Sequence, residues 1–124
     1  MGCWIGASGR LTVQPEPDEQ LIKEYVYFSN HTCPEVYCED EIILNSWFFD
    51  SENRLISGIG KFAEPSVWYK HLNEFFFKPM GYRLCGDPGF VGEFDLDLWK
   101  LGEQRETERK LWDQRIRDLF KNEE

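Results

Sequence analysis

The chain of 124 residues is 41% hydrophobic and 30% charged, which is typical of a single globular domain over residues 1–124 and excludes a multidomain enzyme. Its 23 acidic and 14 basic side chains give a formal net charge of -9, which argues against direct binding of nucleic acid or of an anionic membrane. The favoured partner is instead a protein with a basic, nucleic-acid-binding surface.

Residues 3–13 combine apolar side chains with Gly6 and Gly9, a pattern that predicts a first strand bent or bulged at its glycines. The next element is a helix over about residues 17–28, because Pro17 suits a helix start and apolar residues then recur at helical spacing. Residues 29–41 are rich in turn-forming and acidic residues and show no clear periodicity of apolar side chains, which predicts a surface loop.

Residues 42–49 are β-branched or aromatic, and a similar run over residues 55–62 follows a turn at residues 50–53, so the pair predicts a hairpin. Pro65 then begins a second helix, whose aromatic stripe ends near Lys78. This helix is expected to face the core.

Residues 82–85 predict a further strand, and residues 90–101 predict one or two more. From about residue 103 to residue 120, charges of opposite sign stand four apart, which predicts an amphipathic closing helix. The expected pairs are Glu106 with Lys110, Arg109 with Asp113, and Asp113 with Arg117. The order of elements predicts an α+β fold, with a mainly antiparallel sheet of four to five strands and two to three helices packed on one face.

The acidic side chains are concentrated in one third of the chain. Residues 16–52 contain ten acids and a single base, Lys23, whereas residues 53–124 contain 12 bases and 13 acids. We expect these acids to converge into a partner-binding surface centred on Glu39-Asp40-Glu41 and the first helix. The alternative is a solvated face that only improves solubility. The candidate partner-binding residues are Asp18, Glu19, Glu35, Glu39, Asp40, Glu41, Asp50, Glu52, Glu93, Asp95 and Asp97.

Glu93, Asp95 and Asp97 alternate with apolar residues, so in one continuous strand their carboxylates lie on the same side, roughly 7 Å apart. Such a row of carboxylates could bind a divalent metal or imitate a nucleic-acid backbone, and the third alternative is that it only keeps an exposed sheet face solvated. The chain also has large aromatic side chains that serve as anchors if exposed, although the core is their expected place. These are Trp47, Trp68, Trp99 and Trp112.

The four cysteines, together with the lack of a leader or a long apolar run, favour a cytoplasmic protein without disulfides. His31, Cys33 and Cys38 are candidate zinc ligands, but their spacing is not diagnostic and a second ligand pair is missing. We therefore expect no metal and no cofactor.

His71 stands alone on the predicted aromatic helix, with no nucleophile motif beside it, so no catalytic residue is expected. Two alternatives remain open. One is a small metal- or ligand-binding enzyme with a pocket between the sheet and the aromatic helix, using His71 with an acid. The other is a homodimeric scaffold protein.

The run Gly81-Tyr82-Arg83-Leu84-Cys85-Gly86, followed by Gly92-Glu93 and then by Asp97-Leu98-Trp99-Lys100-Leu101, resembles small proteins of phages, prophages and actinobacteria. Those proteins share G-Y-x-L-x-G, G-E and D-x-W-x-L, and the group has no assigned activity. Its spacer is small and polar, whereas this chain has Phe94-Asp95-Leu96. The resemblance implies a turn over residues 93–97, which competes with the carboxylate row.

A phage or mobile-element origin, as the resemblance implies, favours an inhibitor that acts in the host cytoplasm. Acidic phage proteins of this size include anti-CRISPR and other anti-defence proteins, several of which occupy nucleic-acid channels, and the analogy rests on size and charge. We therefore expect a non-enzymatic inhibitor that occupies a basic surface of a host defence protein or another nucleic-acid-handling protein.

Overall fold

In the computed structural model, which describes residues 4–32, 34, 44–60, 65–92 and 98–121, the described chain has three α-helices and six short strands. The helices are α1 (Glu19–His31), α2 (Pro65–Leu72), which continues into a π-helical turn (Asn73–Phe77), and α3 (Leu98–Leu119). The strands are β1 (Gly6–Ala7), β2 (Thr12–Gln14), β3 (Trp47–Phe49), β4 (Leu55–Ser57), β5 (Arg83–Cys85) and β6 (Phe90–Val91). The α+β class is confirmed.

The expected sheet of four to five strands is wrong, because the described strands form three separate antiparallel pairs: β1 with β6, β2 with β5, and β3 with β4. The predicted first strand becomes β1 and β2, with an interruption that contains Gly9 as expected, whereas Gly6 lies within β1. Between them, Ser8 N–H donates to the Gly89 carbonyl and Gly9 N–H to the Pro88 carbonyl, both at 2.8 Å. These two hydrogen bonds hold the segment between β1 and β2 against the segment between β5 and β6.

Isolated backbone bridges connect the separate ladders. Leu11 and Leu55 exchange both of their backbone hydrogen bonds, at 3.0 and 2.9 Å, and Ile5 and Gly60 exchange theirs at 3.1 Å. The segment that contains β1 and β2 therefore lies against β4 on one side and against β5 and β6 on the other.

Side chains occupy the outer edge of β3. Trp47 N–H donates to Oδ1 of Asn45 at 2.9 Å, and the Trp47 carbonyl accepts from the Tyr25 hydroxyl at 2.7 Å. Because both of these backbone groups are already bonded, a further strand cannot pair at this position. This is one physical reason why the expected wider sheet does not form.

Helix α1 confirms the predicted first helix, displaced toward the C-terminus. Its N-cap is Asp18, whose carboxylate accepts from Leu21 N–H at 2.8 Å. The helix ends at Thr32, whose N–H and hydroxyl both donate to the Phe28 carbonyl, at 3.1 and 2.9 Å. It buries Leu21, Ile22 and Tyr25 against the rest of the core.

The predicted hairpin is confirmed by the pairing of β3 with β4, and Asp50 shapes its turn. The Asp50 carboxylate oxygen Oδ1 accepts from Glu52 N–H and from Arg54 N–H, both at 2.9 Å. Asn53 takes the left-handed conformation with φ of 60°, which asparagine tolerates better than most residues.

The core is aromatic, and Tyr25 lies at its centre. Its ring contacts Phe49 at 5.1 Å and Phe76 at 5.6 Å between centroids, both edge to face, and it contacts Trp112 at 6.2 Å. Such pairs add about 0.5–1.5 kcal/mol each beyond the burial of their area. Tyr25 thus joins α1, β3, the π-helical turn and α3 in one cluster.

Helix α3 begins at Leu98, five residues earlier than the charge pattern predicts. Strand β6 lies within the segment 90–101 that was expected to contain one or two strands, whereas the part of this segment from Leu98 onward is helical. Leu98, Arg105 and Trp112 are buried at seven-residue spacing, so they share one face of the helix. The buried face of α3 therefore begins at Leu98, N-terminal to the segment of alternating charges from which the helix was predicted. Within the described residues, no helix has the length and apolar character required to cross a membrane.

Burial raises the pKa of the Tyr25 hydroxyl well above its ordinary value, so the folded protein keeps this proton when an exposed tyrosine ionises. Above about pH 10 the unfolded chain releases the proton, and the free energy of unfolding falls by about 1.4 kcal/mol per pH unit from this group. Tyr25→Phe removes that slope. It should also lower the free energy of unfolding at neutral pH by about 1–3 kcal/mol, since the Trp47 carbonyl loses its donor.

The measurement is urea-induced unfolding of both proteins from neutral pH to about pH 12. The difference in unfolding free energy between the wild type and Tyr25→Phe should narrow above about pH 10. The matched control is Tyr27→Phe on the same helix, because the Tyr27 side chain is 66% exposed. If the unfolding free energies of the wild type and Tyr25→Phe changed in parallel with pH, the raised pKa of Tyr25 would be wrong.

Candidate functional site

An open groove with a volume of about 640 Å³ lies between one flank of α3 and the ends of the β3–β4 hairpin strands. The apolar residues that line the groove are Trp99 on the α3 side and Trp4, Phe48 and Ile59 on the opposite side. Charged side chains of α3 form its rim, namely Glu103, Glu106, Arg109, Lys110 and Asp113. A mixed aromatic and charged groove of this kind is suited to holding a side chain of a protein partner.

Close packing around Ile59 brings α3 to the hairpin. A Cβ atom placed on Gly102 would lie 2.6 Å from Cδ1 of Ile59, and one placed on Gly6 would collide with the same side chain. Ile59 therefore fills the space that two glycines leave open. Although glycine inside a helix costs about 1 kcal/mol relative to alanine, Gly102 permits this approach.

Trp99 is the most exposed aromatic side chain of the groove. It is 59% exposed, and its ring meets that of the half-buried Trp4 at 5.6 Å between centroids and an interplanar angle of 57°. Trp4 thus supports one part of the Trp99 ring, while much of the rest is open to solvent. Tryptophans placed in this way are frequent binding anchors.

Farther along the groove, α3 places a cation over an aromatic ring. The Arg109 guanidinium carbon lies 5.3 Å from the centroid of the Phe48 ring, and Arg109 Nε donates to Oδ1 of Asp113 at 3.2 Å. The predicted pair of Arg109 with Asp113 is therefore confirmed. The other two predicted pairs are absent from the ion pairs found among the described residues.

A buried arginine fixes the α3 wall to the rest of the domain. Arg105 is 2% exposed, and its Nε donates to the Ser57 carbonyl at 3.0 Å while its Nη2 donates to the Ser8 carbonyl at 3.1 Å. Its remaining nitrogen, Nη1, donates to Oε1 of Glu108 at 3.1 Å. Every guanidinium nitrogen of Arg105 thus has an acceptor, which makes burial of the charge tolerable.

Glu108 also binds Arg10, and through it the helix is joined to the hairpin turn. Arg10 donates two hydrogen bonds to the Glu108 carboxylate, at 2.7 and 2.9 Å, a bidentate pairing. Nη1 of Arg10 also donates to Asp50 Oδ2 at 3.0 Å, and Arg54 Nε donates to the same oxygen at 3.0 Å. We name these residues the arginine–carboxylate network: Arg10, Asp50, Arg54, Arg105 and Glu108.

The network shifts the pKa values of its members. The hydrogen bonds from Arg10 lower the pKa of Glu108, and the charges of Arg10 and Arg105 add to this effect against the opposing effect of burial. In return, the hydrogen bonds to Glu108 raise the pKa of Arg10. Burial and the nearby Arg10 charge lower the pKa of Arg105, which its acceptors partly offset.

A lowered pKa for Glu108 means that folding favours its ionised form. This contribution to stability is fully present above the ordinary glutamate pKa of about 4.3 and is lost as the pH falls through the lower value in the folded state. Glu108→Gln should lower the free energy of unfolding at neutral pH by about 1.5–3 kcal/mol. It should also make the loss of stability below about pH 4.3 shallower than in the wild type.

Urea unfolding at a series of acidic pH values measures this effect. Glu74→Gln is the control, since Glu74 is exposed and outside the network. If Glu108→Gln and the wild type lost stability in parallel as the pH fell, the coupling of Glu108 to Arg10 and Arg105 would be wrong.

The structure locates four of the predicted partner-binding acids. Asp18 and Glu19 are exposed at the start of α1, and the Asp18 carboxylate is also engaged in capping the helix. Glu52 is exposed in the hairpin turn and pairs with Arg54 Nη2 at 3.3 Å. Asp50, in contrast, is 4% exposed, and its charge is matched by Arg10 and Arg54, so it serves the fold rather than an outer surface.

The remaining predicted acids lie outside the described residues. These are Glu35, Glu39, Asp40, Glu41, Glu93, Asp95 and Asp97. The competing interpretations of residues 93–97, as a strand or as a turn, fall on the same undescribed segment. The same applies to Cys33 and Cys38, the expected partners of His31 in a zinc site.

His31 and His71 both make structural contacts. His31 stacks on Tyr27 at 4.0 Å between centroids, and its Nδ1 donates to the Tyr27 carbonyl at 2.7 Å. Nε2 of His71 lies 3.2 Å from the Thr32 hydroxyl, whose own proton is directed to the Phe28 carbonyl, so His71 is the donor. Among the described residues, no group of three or more His, Cys, Asp or Glu side chains is arranged to hold a metal ion.

Comparison of the chain with protein-family models, curated proteins and solved structures finds no match. The candidate site is therefore identified from the geometry of the groove and not from a relative. Sequence reasoning missed it because Trp99 was expected in the core with the other tryptophans, of which Trp47, Trp68 and Trp112 are indeed buried. Had the closing helix been predicted to start at Leu98, the exposure of Trp99 would have followed from its position. Trp99 then lies outside the helix face that contains the buried Leu98 and Arg105.

Proposed function

We propose that this chain is a non-enzymatic acidic binding protein, encoded by a phage or mobile element, that inhibits a host defence protein or another nucleic-acid-handling protein. It does so by occupying a basic surface of that protein. The observation that carries the proposal is the uneven charge, with ten acids and one base over residues 16–52. A surface of this sign attracts basic protein surfaces and repels nucleic acid itself.

The described part of the acidic segment supports this proposal at the start of α1. Glu16, Asp18 and Glu19 are all exposed there. The hairpin turn lies beside them, since Nδ2 of Asn53 is 3.4 Å from the Pro17 carbonyl, and it contributes Glu52, which is exposed although it pairs with Arg54. Acids from two separate parts of the chain therefore meet at one end of the domain.

Charge and aromatic contacts have different roles in such a complex. Exposed charges accelerate encounter and set orientation, but at physiological salt they add little affinity. Tight binding also needs a desolvated anchor, for which the exposed Trp99 is the candidate in the groove. The proposal therefore assigns encounter to the acidic segment and anchoring to the groove.

The test begins with capture of host proteins on the immobilised chain, elution with rising salt and identification by mass spectrometry. We expect a basic nucleic-acid-binding protein to elute, and DNA or RNA to compete with the chain for it. Glu39→Lys, Asp40→Lys and Glu41→Lys together should slow association by about tenfold or more at low salt. They should also flatten the dependence of the association rate on salt.

A control reverses two charges outside the acidic segment, at Glu74→Lys and Asp118→Lys, both of which are exposed. The control should retain most of the association rate and most of its salt dependence. An association rate that is insensitive to salt in the wild type, or the same loss in both variants, would overturn the proposal.

A further inference from the structure

The groove contains one complete unit of aromatic ring, arginine and carboxylate, made entirely by this chain. The Arg109 guanidinium lies over Phe48 at 5.3 Å, and Asp113 accepts from it at 3.2 Å. The ring supplies a face that attracts the cation, and the carboxylate, one helical turn beyond the arginine, supplies the opposite charge.

The other end of the groove has an aromatic ring and two carboxylates, and among the described residues no arginine or lysine lies over that ring. Trp99 is followed on the same face of α3 by Glu103 and Glu106, four and seven residues later. Both glutamates are exposed, and no ion pair to either is present in the described part of the chain. Trp99 is 59% exposed, so its ring remains accessible.

We propose that the Trp99 end of the groove binds an arginine side chain of a protein partner. The guanidinium stacks on the Trp99 ring and pairs with Glu103 and Glu106, as Arg109 does with Phe48 and Asp113. This inference rests on the proposed function, because it specifies the chemistry by which a basic partner is held.

Charge complementarity selects a basic occupant rather than an apolar or acidic one. Arg105, which also lines the groove, is buried and donates to the Ser8 and Ser57 carbonyls and to Glu108, so its nitrogens are not available to Glu103 or Glu106. Lys110 lies on the rim beyond Glu106, and the exposed Lys100 adjoins Trp99 on the helix but does not line the groove. Within the groove, the Trp99 end therefore presents two carboxylates beside an open aromatic face.

Arginine fits this site better than lysine because its planar guanidinium can stack on tryptophan and bind a carboxylate with two parallel hydrogen bonds. Lysine has a compact charge that is more strongly hydrated, so it gains less from an aromatic face. The cation–π attraction is also strongest with tryptophan among the aromatic side chains.

The experiment titrates the protein with a capped Gly-Arg-Gly peptide and follows the indole N–H signal of Trp99 by nuclear magnetic resonance. The signal is assigned by its loss in Trp99→Phe. Peptides with lysine or citrulline in place of arginine serve as comparisons, since citrulline keeps the shape of arginine without its charge. We expect saturable shifts with arginine, weaker shifts with lysine, and none with citrulline.

A double variant, Glu103→Gln with Glu106→Gln, should weaken binding of the arginine peptide by about tenfold. Glu74→Gln with Asp118→Asn removes the same charge from exposed positions outside the groove and should leave binding unchanged. Equal shifts with arginine and citrulline, or equal affinity of the double variant and its control, would overturn the inference. Both variants change exposed side chains, so folding is checked by circular dichroism at the same temperature.

The two proposals fail separately. If the peptide leaves Trp99 unaffected while association with a basic partner still depends on salt and on Glu39-Asp40-Glu41, only the arginine site is wrong. If the peptide binds Trp99 but no salt-dependent partner is captured, the groove retains its chemistry and the proposed function is wrong.

Discussion

The contact of Arg105 with the carbonyls of Ser8 and Ser57 fixes the position of α3, and the shape of the rest of the molecule depends on it. A guanidinium that is 2% exposed cannot be left with unpaired nitrogens, because the cost of burying the charge would exceed the gain from packing. The N-terminal segment, the end of β4 and Glu108 must therefore all meet at this point. Arg105 also lines the groove, so the contact that holds α3 in place belongs to the candidate site as well.

Among the described residues, two groups of acidic side chains have different roles. Asp50 and Glu108 are bonded to arginines in the arginine–carboxylate network, so they stabilise the fold and are not offered to a partner. Others, such as Glu19, Glu103 and Glu106, are exposed and remain available for recognition. Net charge alone cannot separate these groups. Burial and pairing decide which carboxylates contribute to an external field.

The local elements could be predicted from the sequence because their signals are local. The hairpin turn over residues 50–53 is such a case, since Asp50 and Asn53 shape it. The first helix is also predicted, although with its start too early, because Asp18 caps α1 and does not lie inside it. Beyond the hairpin, the pairing of strands could not be predicted, since it depends on Tyr25 reaching the edge of β3 from another element. The groove was missed for a similar reason, because the exposure of Trp99 depends on which face of α3 is buried in the tertiary structure.

The bonded edge of β3 has a consequence for how the protein behaves at high concentration. Trp47, Phe48 and Phe49 form a short run of large apolar residues, all at most 2% exposed, which is the composition that promotes fibril growth when an edge is open. Asn45 and Tyr25 take up the backbone groups of Trp47 that an incoming strand of another molecule would need. Two polar side chains thereby protect this apolar stretch from pairing with a strand of another molecule.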